Sequence, residues 1–163
     1  MRDCIVDTNV LLVASAAEPF SPFADTHVPV EQQQVVFEWL AAFRRDSDRR
    51  LTLDDAWRIY EEYRNRLTDQ DFGLLAIHEK LQSARMVTVA WDAAGYAVVP
   101  ESLQACDPSD RKFLAVALSD PDTLAIVNAA DSDWIEIERE LAAAGVNVVH
   151  IVEAWLREGM ARR

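Results

Sequence analysis

Cys4-Ile5-Val6-Asp7-Thr8-Asn9-Val10-Leu11-Leu12 places three apolar residues, a carboxylate and a second apolar run side by side. An apolar run bounded by helical patterning reads as a strand of a parallel sheet covered on both faces. Ligands of such sheets gather outside the carboxyl ends of the strands, and Asp7 falls at one of those ends. Thr8 could cap the next helix without the desolvation cost of a carboxylate, so capping alone explains Asp7 poorly. Leu124-Ala125-Ile126-Val127-Asn128, followed by Ala129-Ala130-Asp131-Ser132-Asp133, repeats the arrangement. The two strand ends, joined by Glu62 and Asp110, are expected to form one all-oxygen, metal-binding pocket.

Outward from that strand, Val10 to Ala17 reads as a short helix, and Pro19, Pro22 and Pro29 mark residues 18 to 30 as a loop. Val35, Val36, Trp39, Leu40 and Phe43 predict an amphipathic helix of about three or four turns. A short strand is expected over Arg49 to Leu53, a helix over Asp54 to Leu67 and another over Phe72 to Leu81. Met86 to Ala90 alternates as a strand, and Gly95 to Pro100 reads as a second extended piece or a loop. Asp107-Pro108-Ser109-Asp110 opens a helix running from Arg111 to Leu118. After the strand around Ala125 come a helix from Trp134 to Ala144 ended by Gly145, a strand from Val146 to Val152 and a helix from Glu153 to Met160. Strands alternating with helices predict a doubly wound α/β fold. The 163 residues are expected to form a single domain.

Half the residues are hydrophobic and Gly and Pro are few, which excludes a disordered chain. No apolar run approaches the roughly 20 residues of a membrane helix, and Met1-Arg2-Asp3 does not open a signal peptide. Cys4 and Cys106 match neither a disulfide framework nor a zinc pattern. A reduced, cytoplasmic protein is expected. The formal charge of −12 excludes a general nucleic-acid coat. It leaves room for an enzyme acting on nucleic acid, because divalent cations offset clustered carboxylates locally. Arginines gathered between Arg44 and Arg66 are interleaved with carboxylates and read as a salt-bridged, solvated helix pair.

Each carboxylate has an ordinary structural reading. Asp107 fits an N-cap, Pro108 the first helical position and Asp110 the acidic residue of a capping box. Asp131 and Asp133 suit a helix's first turn. Glu61 and Glu62 flank the apolar face of their helix on opposite sides, and helical geometry does not choose between them. The conjunction points elsewhere, since carboxylates at several strand ends and helix starts can converge on one sheet edge. Like charges that close require a balancing cation, and oxygen-only ligation suits Mg²⁺ or Mn²⁺ rather than zinc. His27, His78 and His150 are isolated and read as structural.

Ile-Val-Asp-Thr-Asn-Val-Leu-Leu (5–12), Ile-Tyr-Glu-Glu-Tyr (59–63), Asp-Arg-Lys-Phe-Leu-Ala-Val-Ala-Leu (110–118) and Asp-Ser-Asp-Trp (131–134), in that order, resemble the PIN domain. That family comprises metal-dependent ribonucleases, including the toxins of VapBC toxin–antitoxin pairs. The resemblance implies a three-layer α/β/α sandwich around a mostly parallel sheet, with an acidic quartet holding Mg²⁺ or Mn²⁺. Asp7 matches the first acid, Glu62 the second better than Glu61, Asp110 the third and Asp131 the fourth, with Asp133 beside it. Asp7, Asp110, Asp131 and Asp133 would then be metal ligands, and Thr8, Asn9 and Asp107 accessory residues. Many members carry Thr or Ser just ahead of the fourth acid, where this chain has Asn128-Ala129-Ala130.

The implied chemistry is metal-assisted hydrolysis of RNA phosphodiester bonds, leaving 5′-phosphate and 3′-hydroxyl ends. Arg111 and Lys112 are candidate phosphate contacts, or else exposed first-turn cations. The resemblance also implies an antitoxin protein and a homodimer as candidate partners. Among rivals, a PIN-like domain without activity would serve as a nucleic-acid or protein binding module. A haloacid-dehalogenase-type phosphatase is disfavoured, because Asp7-Thr8-Asn9 lacks that motif's second aspartate. A purely structural α/β protein requires every one of these aspartates to be a cap.

Overall fold

A computed structural model describes residues 2–163. Strand β1 (Asp3–Val6) lies parallel to β4 (Leu124–Asn128), and β4 lies parallel to β5 (Asn147–His150). A second parallel pair joins β2 (Thr52–Asp54) to β3 (Arg85–Val87). The two pairings meet at a parallel bridge between Cys4 and Leu51, where Cys4 N–H donates to the Arg50 carbonyl at 2.9 Å. The strands thus follow the order β3-β2-β1-β4-β5, and the winding reverses between β1 and β4. Ile5, Val6, Ile126 and Val127 are completely buried, as expected of central parallel strands covered on both faces.

The helices are α1 (Thr8–Ala16), α2 (Val30–Arg45), α3 (Arg58–Arg66), α4 (Phe72–Lys80), α5 (Arg111–Ser119), α6 (Asp133–Glu136), α7 (Glu138–Ala143) and α8 (Glu153–Ala161). Helices α1, α2 and α4 pack on one another, while α5 packs on β1, β2 and β4. The right-handed rule for parallel crossovers assigns the helices between β1 and β3 to one side of the sheet and those between β3 and β5 to the other. Gly73 lets α4 approach α1 closely, its N–H donating to Ser15 Oγ at 2.9 Å. Among the described residues, no helix is long and apolar enough to cross a membrane. Both cysteines are buried and free.

Several boundaries differ from those expected. Helix α2 starts at Val30, directly after Pro29, a full turn before the apolar spacing begins. Its polar first turns hide the periodicity, yet Gln33 is buried there, donating to the Val28 carbonyl at 2.9 Å. The expected helix over 54–67 begins only at Arg58. The fully buried Asp54 ends β2, and its two carboxylate oxygens accept the Arg58 and Ile59 N–H groups at 2.9 Å each. The strand expected over 86–90 closes at Val87, and the following loop doubles back through an antiparallel bridge between Trp91 and Ala97. The helix expected over 134–144 is broken at Ile137, whose backbone (φ −108°, ψ 19°) leaves the helical region.

Candidate functional site

The winding reversal opens a crevice at the carboxyl ends of β1 and β4, the position at which doubly wound sheets bind ligands. Asp7 closes β1 and caps α1, its Oδ1 accepting the Asn9 N–H at 3.2 Å. Its Oδ2 accepts the indole N–H of Trp134 at 2.7 Å. Only 5% of Asp7 is exposed. Burial pushes its carboxyl up to about 6, against the lowering effect of the Trp134 and Asn9 hydrogen bonds and with added repulsion from Asp131 and Glu62.

Asp110 ends the single 3₁₀ turn Pro108–Asp110 that leads into α5. Asp107 caps this turn as expected, its Oδ1 accepting the Ser109 N–H at 2.9 Å and hydroxyl at 2.7 Å. Those bonds hold the Asp107 carboxyl below the usual range. Asp110 does not complete a capping box: no described residue donates a hydrogen bond to its carboxylate. Burial pushes that carboxyl up to about 7, with repulsion from Asp7, Asp131, Asp107 and Glu62 behind it.

Asp131 and Asp133 follow β4. The Asp133 N–H donates to Asp131 Oδ1 at 2.9 Å, and burial raises the Asp131 carboxyl despite that bond. One carboxylate oxygen from each of Asp110, Asp131 and Asp133 lies within 4.8 Å of the others. Asp7 is not among the three at that distance, and its oxygens accept the Trp134 indole and Asn9 N–H groups. Three convergent carboxylates, of which only Asp131 accepts a hydrogen bond among the described residues, match the oxygen ligation preferred by Mg²⁺ and Mn²⁺.

Glu62 is half-buried and Glu61 exposed. Glu62 Oε2 accepts the Thr8 hydroxyl, and its Oε1 pairs with Lys112 Nζ at 2.9 Å. Helix α3 therefore turns Glu62 toward the start of α1, a choice that helical spacing left open. Lys112 also donates to the Ser109 carbonyl. Arg111 reaches neither the carboxylates nor the open crevice. Its guanidinium donates to the Cys106 and Gln104 carbonyls at 3.2 and 3.0 Å and holds the loop before α5. The two expected phosphate contacts are thus a loop clamp and an ion-paired lysine.

An amide network fixes the loop after β4. Asn9 Oδ1 accepts the N–H groups of Ala129 and Ala130 at 2.9 Å each, and its Nδ2 donates to Asn128 Oδ1 at 3.0 Å. Asn128 is completely buried. Its Nδ2 donates to the Asp131 carbonyl at 2.9 Å and meets His150 Nδ1 at 3.0 Å, while its Oδ1 also accepts the Asp131 N–H at 3.2 Å. Asn128-Ala129-Ala130, where the resembled family commonly carries a hydroxyl, here serves as the backbone socket for Asn9. The sequence places Asn128 at a strand end, Trp134 in a motif and His150 among structural residues, but it does not show that Trp134 bonds Asp7 or that Asn128 links Asn9, Asp131 and His150. The adjacency of Trp134 to Asp133 was the only signal, and it said nothing of Asp7.

Two cavities flank the turn before α5. One, of about 180 Å³, is lined by Asp107, Asp110, Asp133, Trp134 and neighbours. The other, of about 250 Å³, is lined by Arg58, Glu62, Trp91, Tyr96, Lys112 and neighbours. In comparisons of this chain with protein-family models, curated proteins and solved structures, nothing matched.

Proposed function

We propose that this protein is a metal-dependent ribonuclease built as a PIN-like three-layer sandwich, with Mg²⁺ or Mn²⁺ held by Asp110, Asp131 and Asp133. The observation that carries the reading is the convergence of those three carboxylates at the β1/β4 crevice, with Asp7 and Glu62 beside them. Four motifs resembling the family, in its order, supply the reaction class. A divalent cation held by Asp110, Asp131 and Asp133 would lower the pKa of a coordinated water and offset charge on a phosphodiester.

The chain's own residues have separable tasks in this reading. Asp7, held by Trp134 and Asn9, orients the crevice wall and supplies negative charge beside the metal. Asn128 sets the backbone of Asp131 through bonds to that residue's N–H and carbonyl. Lys112 offers a positive charge at the rim, where a phosphate could exchange with Glu62. The same resemblance makes a toxin role, with an antitoxin as partner, part of the proposal.

A second reading, a binding module without catalysis, is favoured by one observation: Glu62 is engaged by Lys112 and Thr8. The deciding experiment is cleavage of labelled RNAs in Mn²⁺, Mg²⁺ or chelator, with Asp110→Asn purified in parallel. Metal-dependent cutting lost in that variant is the expected result. No cutting by the unaltered protein, with Mn²⁺ binding still seen by calorimetry, would move the assignment to the binding module. Absence of Mn²⁺ binding would remove the metal site itself.

A further inference from the structure

We infer that the cavity between α3 and the Trp91–Ala97 bridge is a stacking subsite for one base of single-stranded RNA; this rests on the nuclease reading for the class of ligand. The exposed Arg58 guanidinium sits 5.5 Å from the centre of the Trp91 ring, and Tyr96, 43% exposed, lines the same cavity. Unpaired bases are held on aromatic faces and on arginine planes. Asn65, also in the lining, carries both a donor and an acceptor for a base edge. At about 250 Å³ the cavity is smaller than the roughly 300–1,000 Å³ of drug-sized ligand sites. It suits a single flat ring system.

Its position gives the inference its direction. Ser109 and Lys112 line this cavity, whereas Asp107 and Asp110 line the one beside it. The turn before α5 is therefore a ridge with the acidic cluster on one side and the aromatic cavity on the other. A strand crossing the ridge places a phosphodiester against the carboxylates and an adjoining base against Tyr96 and Trp91. The net charge of −12 disfavours broad phosphate neutralisation along a duplex, and the cavity has room for one splayed base.

Fluorescence anisotropy with labelled hexa-adenylate and hexa-uridylate tests this, in Ca²⁺ and with strand intactness checked on a gel. Tyr96→Ala, Arg58→Gln and Trp91→Leu should each weaken binding, Tyr96→Ala and Trp91→Leu by about tenfold. A hexamer of abasic residues should bind the unaltered protein as weakly as intact RNA binds the variants. Thermal melts report folding, and the exposed Tyr96 carries the test if Trp91→Leu fails to fold. Equal affinities across the variants, equal binding of the abasic strand, or no binding by the unaltered protein would overturn the inference. Equal binding of a deoxy hexamer would overturn its restriction to RNA. Tyr96-dependent binding without cleavage would sink the nuclease reading and keep the subsite; cleavage with Tyr96-independent binding would do the reverse.

Discussion

The indole N–H of Trp134 donates a 2.7 Å hydrogen bond to Asp7 Oδ2 across 127 positions of sequence. This bond joins the first residue after β1 to the helix that follows β4. It also gives the buried carboxylate a donor in a place where water has little access. A buried acid with a fixed donor keeps one orientation, so the crevice wall is preformed.

Trp134→Phe keeps most of the buried ring and deletes the donor. The expected cost is about 2 kcal/mol, as for loss of a hydrogen bond to a charged group. Urea unfolding should show a lower midpoint with an unchanged slope. The Asp7 carboxyl, already pushed up to about 6, should titrate higher still in this variant, as NMR of the side-chain carboxyl carbon would report.

Asn9→Ala removes the acceptor shared by the Ala129 and Ala130 N–H groups. Two donors lose their partner together, at an expected cost of about 2–4 kcal/mol. Hydrogen exchange should quicken at those two amides first, while exchange in β1 follows global stability. Unchanged exchange at both would show that the socket holds without Asn9.

Asp110→Asn tests the electrostatics of the metal-free protein. Asp7 and Asp110 retain protons in the fold, up to about 6 and 7, that the unfolded chain has released above the ordinary 3.8. Folding then takes up protons, so these groups make stability rise as pH falls from about 7 toward 4. His150 acts oppositely: burial lowers its pKa beneath the ordinary 6.5, against the raising influence of Glu153 and Glu138. Its neutral form stabilises the fold above 6.5, and that contribution is lost as pH falls through the lower folded value. Asp110→Asn should gain about 1–2 kcal/mol at pH 8 and show a flatter acid-side rise than the unaltered protein. Chemical denaturation at pH 8 and pH 5 measures the difference.

Gly73→Ala addresses packing away from the site. A Cβ there would lie 2.6 Å from the Leu11 carbonyl oxygen, 2.8 Å from Leu11 Cβ and 2.9 Å from Ser15 Oγ. Backbone cannot retreat cheaply, so helices α1 and α4 must part. The expected loss is at least about 2 kcal/mol, the range for overpacked cores. A melting temperature equal to that of the unaltered protein would contradict this contact.

What could be read from the residues, and what could not, divides along physical lines. The apolar runs 4–6 and 124–127 announced buried parallel strands because sheets covered on both faces tolerate little else. The carboxylates behind them were visible for the same reason, as charges in costly places. Asp54 was equally costly but was absorbed into an expected helix, since its role as a cap depends on the left-handed turn at Trp57 (φ 63°). The break at Ile137 lies inside an unbroken helical pattern with no Gly or Pro to mark it. Partners that meet only through the fold, such as Trp134 with Asp7 or Asn9 with Ala129, leave no local trace. Arg111 looked available because sequence shows a cation's charge and not the carbonyls that claim it.

The socket that Asn9 forms with Ala129 and Ala130 has a consequence for the order of events on the ribosome. Residues 7–9 emerge early, yet the partners of Asn9 lie at the end of β4 and in the loop behind it, so this socket closes only after most of the chain has been made. Until then Asp7 lacks its Trp134 donor, and the triad that would gather a cation has not been made. Long-range pairing of this kind is slow to form. The acidic cluster therefore cannot form before β4 and the loop behind it exist, and a chain truncated ahead of β4 carries Asp7 without its Trp134 donor.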